Sequence, residues 1–322
     1  MKSIGELHIL FQQELGKYKF LSEPVELYAP INYILESGGK RIRPLFTLLS
    51  CELVGGDYAK AINQAVAIEI FHNFTLMHDD IMDSAPLRRG KESIHIKWNI
   101  NTAILSGDAM LIEAYKALCR CDQKVLPDVI NIFSKMAGEV CEGQQFDINY
   151  ESKESVTVKE YINMIRLKTA ALLAASMKIG ATLGGATTET CNNAFEIGEN
   201  LGIAFQLQDD LLDLFSDDLK FGKQVGGDVI AQKKTILYLK ALELSEDPTG
   251  LHKTFTSEDL SDKNKIDKIK KIYLKLGIPE IVKSEVNSYY SKASELLDRL
   301  DTSPESKKSF REFVGELMNR KF

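Results

Sequence analysis

Two aspartate clusters in this chain have identical spacing, and each lies within an apolar stretch. They are Asp79-Asp80-Ile81-Met82-Asp83 and Asp209-Asp210-Leu211-Leu212-Asp213. On a helix, the first and last aspartate of each cluster lie one turn apart on the same face. Burying several carboxylates without partners is costly, whereas carboxylates that meet substrate phosphates suit Mg²⁺. One such cluster is usually a solvated helix face; two favour facing clusters that share metal ions.

Basic residues accompany both clusters, as an anionic substrate would require. They lie in Gly38-Gly39-Lys40-Arg41-Ile42-Arg43-Pro44, in Arg88-Arg89, at Lys168, in the Gly222–Asp228 segment and in Lys233-Lys234. Each alone is more often a surface charge. Together they indicate a pocket that receives more than one diphosphate.

The elements that must position these residues are helical. Apolar residues recur at three and four over Tyr58–Met82 and Lys159–Leu183, and another apolar helix is predicted over Asn193–Leu214. Strand signals are nearly absent. The polar segment Ser245–Lys265 is expected to be an exposed excursion between helices. We predict a single all-α domain over residues 1–322, an antiparallel bundle of about ten or more helices around a central cavity.

Composition narrows the classes of function. The 322 residues carry a net charge of -6, which argues against a general nucleic-acid-binding protein. No apolar run approaches the length of a transmembrane helix, and the N-terminus lacks a signal-peptide core. The five cysteines are odd in number and scattered, which predicts no disulfide framework and a cytoplasmic location.

The motifs resemble those of trans-isoprenyl diphosphate synthases. The resemblance extends from about Gly38 to Lys234 and includes Leu87-Arg88-Arg89-Gly90, Gly143-Gln144-x-x-Asp147 and Phe205-Gln206-x-Gln208-Asp209-Asp210. It implies condensation of an allylic diphosphate (dimethylallyl, geranyl or farnesyl) with isopentenyl diphosphate. It further implies three Mg²⁺ ions bridged by the allylic diphosphate, and a homodimer.

The resemblance also implies roles for individual residues. Asp79, Asp83 and Asp209 would hold the metal ions, with Asp80, Asp210 and Asp213 ligating through water or supporting them. The allylic diphosphate would be bound by Arg88, Lys168, Lys223 and Lys233. Isopentenyl diphosphate would be bound by Lys40, Arg43, His72 and Arg89. The catalytic set would be Lys168, Thr169, Gln206 and Lys223. Within it, Thr169 and Gln206 would orient the allylic group or the developing cation. Gln144 and Asp147 would support the site.

One of these assignments has independent support from helical geometry. His72, Asp79 and Asp83 are separated by seven and four residues, which places them on one stripe of a helix. The C-terminal segment Asn319-Arg320-Lys321-Phe322 is expected to close over bound isopentenyl diphosphate.

Product length is expected to depend on Phe74 and Thr75, just before the first cluster. Helical geometry places Thr75 nearer the acidic stripe, and the commoner role of an aromatic residue such as Phe74 is packing in the core. The sequence resembles a geranylgeranyl diphosphate synthase here: Phe74 is an aromatic residue five positions before the motif, the next residue, Thr75, is small, and the motif has no insertion. Farnesyl diphosphate is the second candidate product, because Phe71 would narrow the cavity. A terpene cyclase, a non-catalytic synthase subunit and a two-metal phosphohydrolase would each share some of these features. The intact second cluster and the Lys40 segment argue against the cyclase. A non-catalytic subunit typically loses aspartates, and none is lost here; a phosphohydrolase would not need Lys40, His72 and a long apolar cavity.

Overall fold

The structure, a computed structural model, describes residues 2–216 and 225–318. Its helices are α1 (Ile4–Leu15), α2 (Val25–Leu35), α3 (Ile42–Leu53), α4 (Ile62–Met82), α5 (Ile94–Lys97), α6 (Ile100–Leu118), α7 (Leu126–Ser152), α8 (Val158–Ile165), α9 (Ala171–Leu183), α10 (Thr188–Phe215), α11 (Gly227–Ile230), α12 (Ile236–Leu244), α13 (Pro248–Phe255), α14 (Asp262–Lys275), α15 (Ile278–Arg299) and α16 (Pro304–Met318). A 3₁₀ turn spans Tyr58–Lys60 and a π-helical turn spans Arg166–Ala170. Lys223 and Asn319–Phe322 lie outside the described residues.

The prediction of an all-α fold is confirmed. Helix α4 carries the first aspartate cluster and α10 carries the second, as the apolar periodicity predicts. The helix predicted over Lys159–Leu183 is α8 and α9, joined through the π-helical turn. The β-structure in the described residues is one hairpin, β1 (Leu87–Arg88) with β2 (Lys91–Glu92), which sequence reasoning did not predict.

The expectation for Ser245–Lys265 was wrong in part, because helix α13 and the beginning of α14 occupy this segment. The side chain of Asp247 caps α13 by accepting a hydrogen bond from the Gly250 N–H at 2.8 Å, and Pro248 stands at the first helical position. Leu251 and Phe255 are buried beneath the polar face. These two residues are four apart and share one face of α13, so the helix has a buried face although half of its residues are polar.

The described chain divides into two compact units. The first comprises the residues up to Ser134, Ala175–Phe195 and Leu300–Phe313. In its core, Phe46 packs edge-on against Phe310 and Phe313, with ring centroids 5.8 and 5.0 Å apart. The Ser50 hydroxyl donates to the carbonyl of Met177 at 2.6 Å. These contacts fix α3 of the first unit.

The second unit comprises Lys135–Ala174, Glu196–Arg299 and the residues from Val314 onward. Its core contains Tyr161 and Ile165 of α8, with Leu207 and Leu211 of α10. A Cβ at Gly202 would overlap Ala170, so the glycine lets α10 approach the π-helical turn closely. This packing places the second aspartate cluster beside the lysine-bearing segment.

Within the described residues, we find no helix whose length and apolar character would suit a membrane span. All five cysteines are free thiols.

Candidate active site

The middle aspartate of each cluster is buried, whereas the outer ones are accessible. Asp80 is 1% exposed and Asp210 is 3% exposed. Asp79, Asp209 and Asp213 are half-buried, and Asp83 is exposed. The two clusters therefore have the same local design: a middle carboxylate held by the protein, and outer carboxylates that solvent or a ligand can reach.

In the first unit, Asp80 is held by Arg88. The Nε of Arg88 donates to Asp80 Oδ1 at 2.8 Å, and Nη2 donates to the same oxygen. Arg88 reaches it from β1, just after α4 ends. Asp83 is the C-terminal cap of α4, and its N–H donates to the Asp79 carbonyl at 2.8 Å, so both keep the helical spacing.

Several cations of the first unit converge on the Gly38–Arg43 turn. The Nη1 of Arg43 lies 3.1 Å from His72 Nε2. Arg89 Nη1 donates to the carbonyl of Gly38 and to Ser37 Oγ. Gly39 has φ 128°, and a Cβ there would come within 3.0 Å of the Arg89 guanidinium. The glycine therefore allows the backbone to bend closely around the arginine.

His72 is neutral at pH 7 in this surrounding. Burial lowers its pKa well below the usual value, and the positive charges of Arg43, Arg89, Arg88 and Arg41 lower it further. Because arginine can only donate, Nε2 of His72 accepts from Arg43 and the ring proton is on Nδ1. His72 thus contributes a hydrogen-bond donor without a charge, beside groups that carry charge.

Sequence reasoning missed the acidic support of this basic cluster. Glu69 Oε1 accepts from the buried Arg41 Nη1 at 2.5 Å and from Asn73 Nδ2 at 2.8 Å. Asn73 Oδ1 in turn accepts from Arg89 at 3.3 Å. The signal was available: a glutamate within the apolar part of α4 must have a partner, and Glu69 precedes His72 and Asn73 by three and four residues.

In the second unit, Lys168 lies on the π-helical turn and forms an ion pair with Asp147 of α7, with Nζ and Oδ2 2.5 Å apart. A Cβ at Gly143 would overlap the backbone of Lys168. The glycine of the Gly143-Gln144-x-x-Asp147 motif therefore lets α7 contact this turn, and Asp147, one helical turn later, reaches the ammonium. Local π-helical turns of this kind are frequent at functional sites.

A chain of hydrogen bonds connects the π-helical turn to the second aspartate cluster. Thr169 Oγ1 donates to Gln206 Oε1 at 3.1 Å, and Gln206 Nε2 donates to Asp210 Oδ1 at 2.9 Å. The hydroxyl of Tyr161 donates to Asp210 Oδ2. Burial raises the pKa of Asp210 to about 8, reinforced by the negative charge of Asp228 and opposed by these two hydrogen bonds.

These groups line a cavity of about 130 Å³ within the second unit. The described residues that were predicted to bind the allylic diphosphate or the metal ions, to act in catalysis or to support the site, and that line this cavity, are Asp147, Lys168, Thr169, Gln206, Asp210 and Lys233. Tyr161 and Asp228 line it as well, although neither had been given a role. Tyr161 lies in the apolar stretch Lys159–Leu183, and a periodicity pattern does not show where its phenol hydroxyl points.

Lys234 holds the segment before α12 against the end of α7. Its ammonium donates to the carbonyls of Tyr150, Glu151 and Lys153 at 2.7, 3.1 and 2.6 Å. These carbonyls end α7, where a cation interacts favourably with the helix dipole. Lys234 therefore anchors the segment before α12 to the end of α7, and both Lys233 and Lys234 line the cavity.

Comparison with known proteins identifies the family. Residues 24–274 match the family model described as polyprenyl synthetase, which is well over half of the chain. This chain belongs to the polyprenyl synthetase family. A geranylgeranyl pyrophosphate synthase of Geoglobus acetivorans is 39% identical over 285 residues, covering 88% of this chain and 87% of that protein.

Two further relatives are prenyl diphosphate synthases. A crystal structure of a geranylgeranyl pyrophosphate synthase superposes with a TM-score of 0.96 at 43% identity, covering all of both chains. A geranylfarnesyl diphosphate synthase of Natronomonas pharaonis is 34% identical over 278 residues, covering 81% of this chain and 80% of that protein. The family is thus shown by sequence and by fold.

The family resemblance implies Mg²⁺, and the aspartates of both clusters have the chemistry that this ion prefers. In the described ranges, no three carboxylate, imidazole or thiol groups converge into a closed metal cage. Mg²⁺ rarely uses such cages; it binds one or two carboxylates together with waters and substrate phosphates. A cation near Asp210 and Asp228 would also offset the like charges that raise the pKa of Asp210. Accessible outer aspartates therefore suit Mg²⁺.

The other residues that were predicted to belong to the site lie at the following positions. Lys40 is exposed on the turn before α3, and Gln144 is half-buried on α7. The Thr75 hydroxyl donates to the His72 carbonyl at 2.8 Å, within α4. Phe74 is half-buried, and its ring packs against Phe71 with centroids 5.5 Å apart. Lys223 lies outside the described residues.

Proposed function

We propose that this chain is a Mg²⁺-dependent prenyltransferase that joins an allylic diphosphate to isopentenyl diphosphate and produces geranylgeranyl diphosphate. The observation that carries the proposal is the similarity to geranylgeranyl diphosphate synthases over most of the chain. The buried middle aspartates and two separate cation groups support it. Incubation with both substrates and analysis of the product tests it.

We assign the second-unit groups to the allylic diphosphate. Lys168 and Lys233 line the cavity and neutralise the diphosphate as the bond from allylic C1 to oxygen breaks. In the second unit, Mg²⁺ held by Asp209, with Asp213 ligating through water or supporting it, would supply further positive charge. In the first unit, we assign Asp79 and Asp83 to Mg²⁺. Asp80 and Asp210 hold these ligands in place through their own partners. Lys223 remains a prediction from the family resemblance.

Thr169 and Gln206 have a positioning role in this proposal. Their mutual hydrogen bond fixes the Gln206 amide, because its oxygen accepts from Thr169 and its nitrogen donates to Asp210. A fixed amide dipole in a water-poor site orients the allylic group and stabilises developing positive charge without reorganisation. Met164 and Ile165, which also line the cavity, contribute apolar walls that exclude water.

The first-unit cations are assigned to isopentenyl diphosphate. Arg43, Arg89 and Lys40 supply charge on the Gly38–Arg43 turn, and neutral His72 supplies a donor. The double bond of bound isopentenyl diphosphate attacks allylic C1, a new carbon–carbon bond forms, and a proton leaves the adjacent carbon. The released diphosphate accepts that proton. Asn319–Phe322, the predicted closing segment, remains a prediction outside the described residues.

A terpene cyclase, a phosphohydrolase and a non-catalytic subunit would differ in what they release. The cyclase would give a hydrocarbon from one allylic diphosphate, the phosphohydrolase would release phosphate, and the subunit would incorporate nothing. Both aspartate clusters are intact, and in each the middle aspartate is buried. This favours an active synthase. The predictions of one domain over residues 1–322 and of a cytoplasmic location remain predictions.

We propose that Phe74 limits the product to twenty carbons. Its ring is half-buried and is backed by Phe71, which is 1% exposed. A buried Phe71 supports Phe74 from behind and does not itself narrow an open cavity, which favours geranylgeranyl over farnesyl diphosphate. The relationship to a geranylfarnesyl diphosphate synthase shows that longer products occur among relatives.

Phe74→Ala is therefore expected to lengthen the product, because removing the ring opens space for another five-carbon unit. Mass spectrometry of the prenyl diphosphates checks this, with Phe146→Ala, a partly exposed aromatic of α7, as control. A folded, active Phe74→Ala enzyme that still stops at twenty carbons would contradict the assignment.

We also propose a homodimer. Helix α6 exposes Ile100, Ile104, Leu105 and Ile112, which spread over one face of the helix. An apolar face of this kind on a surface helix commonly marks an interface with another protein. We expect purified protein to sediment at twice its chain mass and Leu105→Glu to sediment as a monomer. A wild-type monomer at micromolar concentration would contradict the dimer.

A further inference from the structure

His78 occupies an unusual position between the first aspartate cluster and helix α6. It precedes Asp79 in sequence, yet about 100° of helical rotation separates the two side chains, so His78 does not share the acidic face. Its Nε2 lies 3.2 Å from the carbonyl oxygen of Ile104. A carbonyl can only accept, so Nε2 carries the proton and donates. The ring is thereby fixed to α6.

Gly107 completes this arrangement. A Cβ at Gly107 would overlap the imidazole of His78. The ring therefore fills the space that a side chain of α6 would otherwise occupy, and α4 and α6 pack with the imidazole between them. On its other side, the imidazole packs edge-on against the ring of Phe74, with centroids 4.8 Å apart.

Phe74 consequently has two aromatic supports with different character. Phe71 is buried, and it packs in turn against Phe133 at 5.1 Å. His78 is half-buried, and of the two it alone has a polar ring atom, which hydrogen-bonds to a neighbouring helix. Edge-to-face pairs of this geometry prefer a defined ring orientation. Removal of the imidazole would leave Phe74 free to move toward α6.

We propose that His78 is a positioning residue that sets product length by holding the Phe74 ring in place. This inference rests on the proposed function, because it takes Phe74 as the residue that stops chain growth. His78 does not act on the substrate; it acts through Phe74. Its effect therefore disappears when the Phe74 ring is absent, whereas a residue that contacts the growing chain directly would keep an effect of its own.

The test is a double-mutant cycle with His78→Ala, Phe74→Ala and the double variant, in which product lengths are read by mass spectrometry. We expect His78→Ala to shift most product to chains at least one five-carbon unit longer. We expect the double variant to match Phe74→Ala alone. His78→Phe keeps a ring between Phe74 and Gly107 but lacks the hydrogen bond to Ile104, so its product should be shorter than that of His78→Ala. An unchanged product in His78→Ala, or a further shift in the double variant, overturns the proposal.

A crystal structure of His78→Ala separates this inference from the proposed function. We expect the Phe74 ring to have moved toward the vacated space beside Gly107. A Phe74 ring in its original place overturns the positioning role, whatever the activity. If wild-type protein incorporates no isopentenyl diphosphate, the proposed function fails, and the variant structure still decides whether His78 holds Phe74.

Discussion

Replacement of an outer aspartate is expected to abolish almost all turnover while the protein stays folded. Asp79→Ala and Asp209→Ala each remove an accessible carboxylate that we assign to Mg²⁺. A metal ion that stabilises a departing diphosphate contributes several kcal/mol, so kcat should fall by about 10³-fold or more. The fold should persist because the buried middle aspartates, Asp80 and Asp210, keep their partners.

The measurement is steady-state incorporation of labelled isopentenyl diphosphate, with circular dichroism to confirm folding. Asp267→Ala removes an exposed carboxylate from α14 and is the matched control, which should retain wild-type turnover. A chelator should abolish wild-type activity and added Mg²⁺ should restore it. Full turnover by Asp79→Ala, or activity that survives the chelator, would contradict the metal assignment.

Substitutions in the first unit are expected to change the KM of one substrate, and a substitution in the second unit the KM of the other. Lys40→Ala and His72→Ala should raise the KM for isopentenyl diphosphate, and Lys168→Ala should raise the KM for the allylic substrate. A hydrogen bond to a charged group contributes about 1.5–3 kcal/mol, which predicts an increase on the order of 10- to 100-fold. His72 is neutral, so its effect should be the smaller of the two on the isopentenyl side.

Steady-state kinetics, with one substrate varied and the other saturating, give the KM for each substrate in each variant. Lys135→Ala is the control, because its side chain is 73% exposed and its nearest carboxylate is 3.9 Å away. It should leave both KM values unchanged. The reverse pattern, in which Lys40→Ala weakens the allylic substrate and Lys168→Ala weakens isopentenyl diphosphate, would refute the assignment of the two cation groups.

Residue spacing was sufficient to predict the helices that carry the site. Carboxylates four apart in apolar stretches indicated that α4 and α10 each carry an acidic cluster, and Lys168 was expected within a helix. These are local properties, since a helix places residues three and four apart on one face. The glycines of the Gly38–Arg43 turn and of the Gly143 motif could be recognised in the sequence. The structure shows why glycine is needed: a Cβ at Gly39 would meet the Arg89 guanidinium, and one at Gly143 would overlap the backbone of Lys168.

The partners of the buried groups could not be predicted from spacing. Asp80 bonds to an arginine eight residues later, and Asp210 bonds to Tyr161, 49 residues earlier. Such pairs depend on which helices pack together, and that information is spread over the whole apolar pattern. The π-helical turn at Arg166–Ala170 has the same origin, because the apolar periodicity through it resembles that of an ordinary helix.

The most direct test is incubation of purified protein with Mg²⁺, labelled isopentenyl diphosphate and, in separate reactions, dimethylallyl, geranyl or farnesyl diphosphate. Mass spectrometry then gives the chain length of each product. We predict that all three allylic substrates are elongated and that geranylgeranyl diphosphate accumulates. Hydrocarbon or free phosphate without incorporation of label would contradict the proposed reaction, and a main product of fifteen or twenty-five carbons would contradict the proposed chain length.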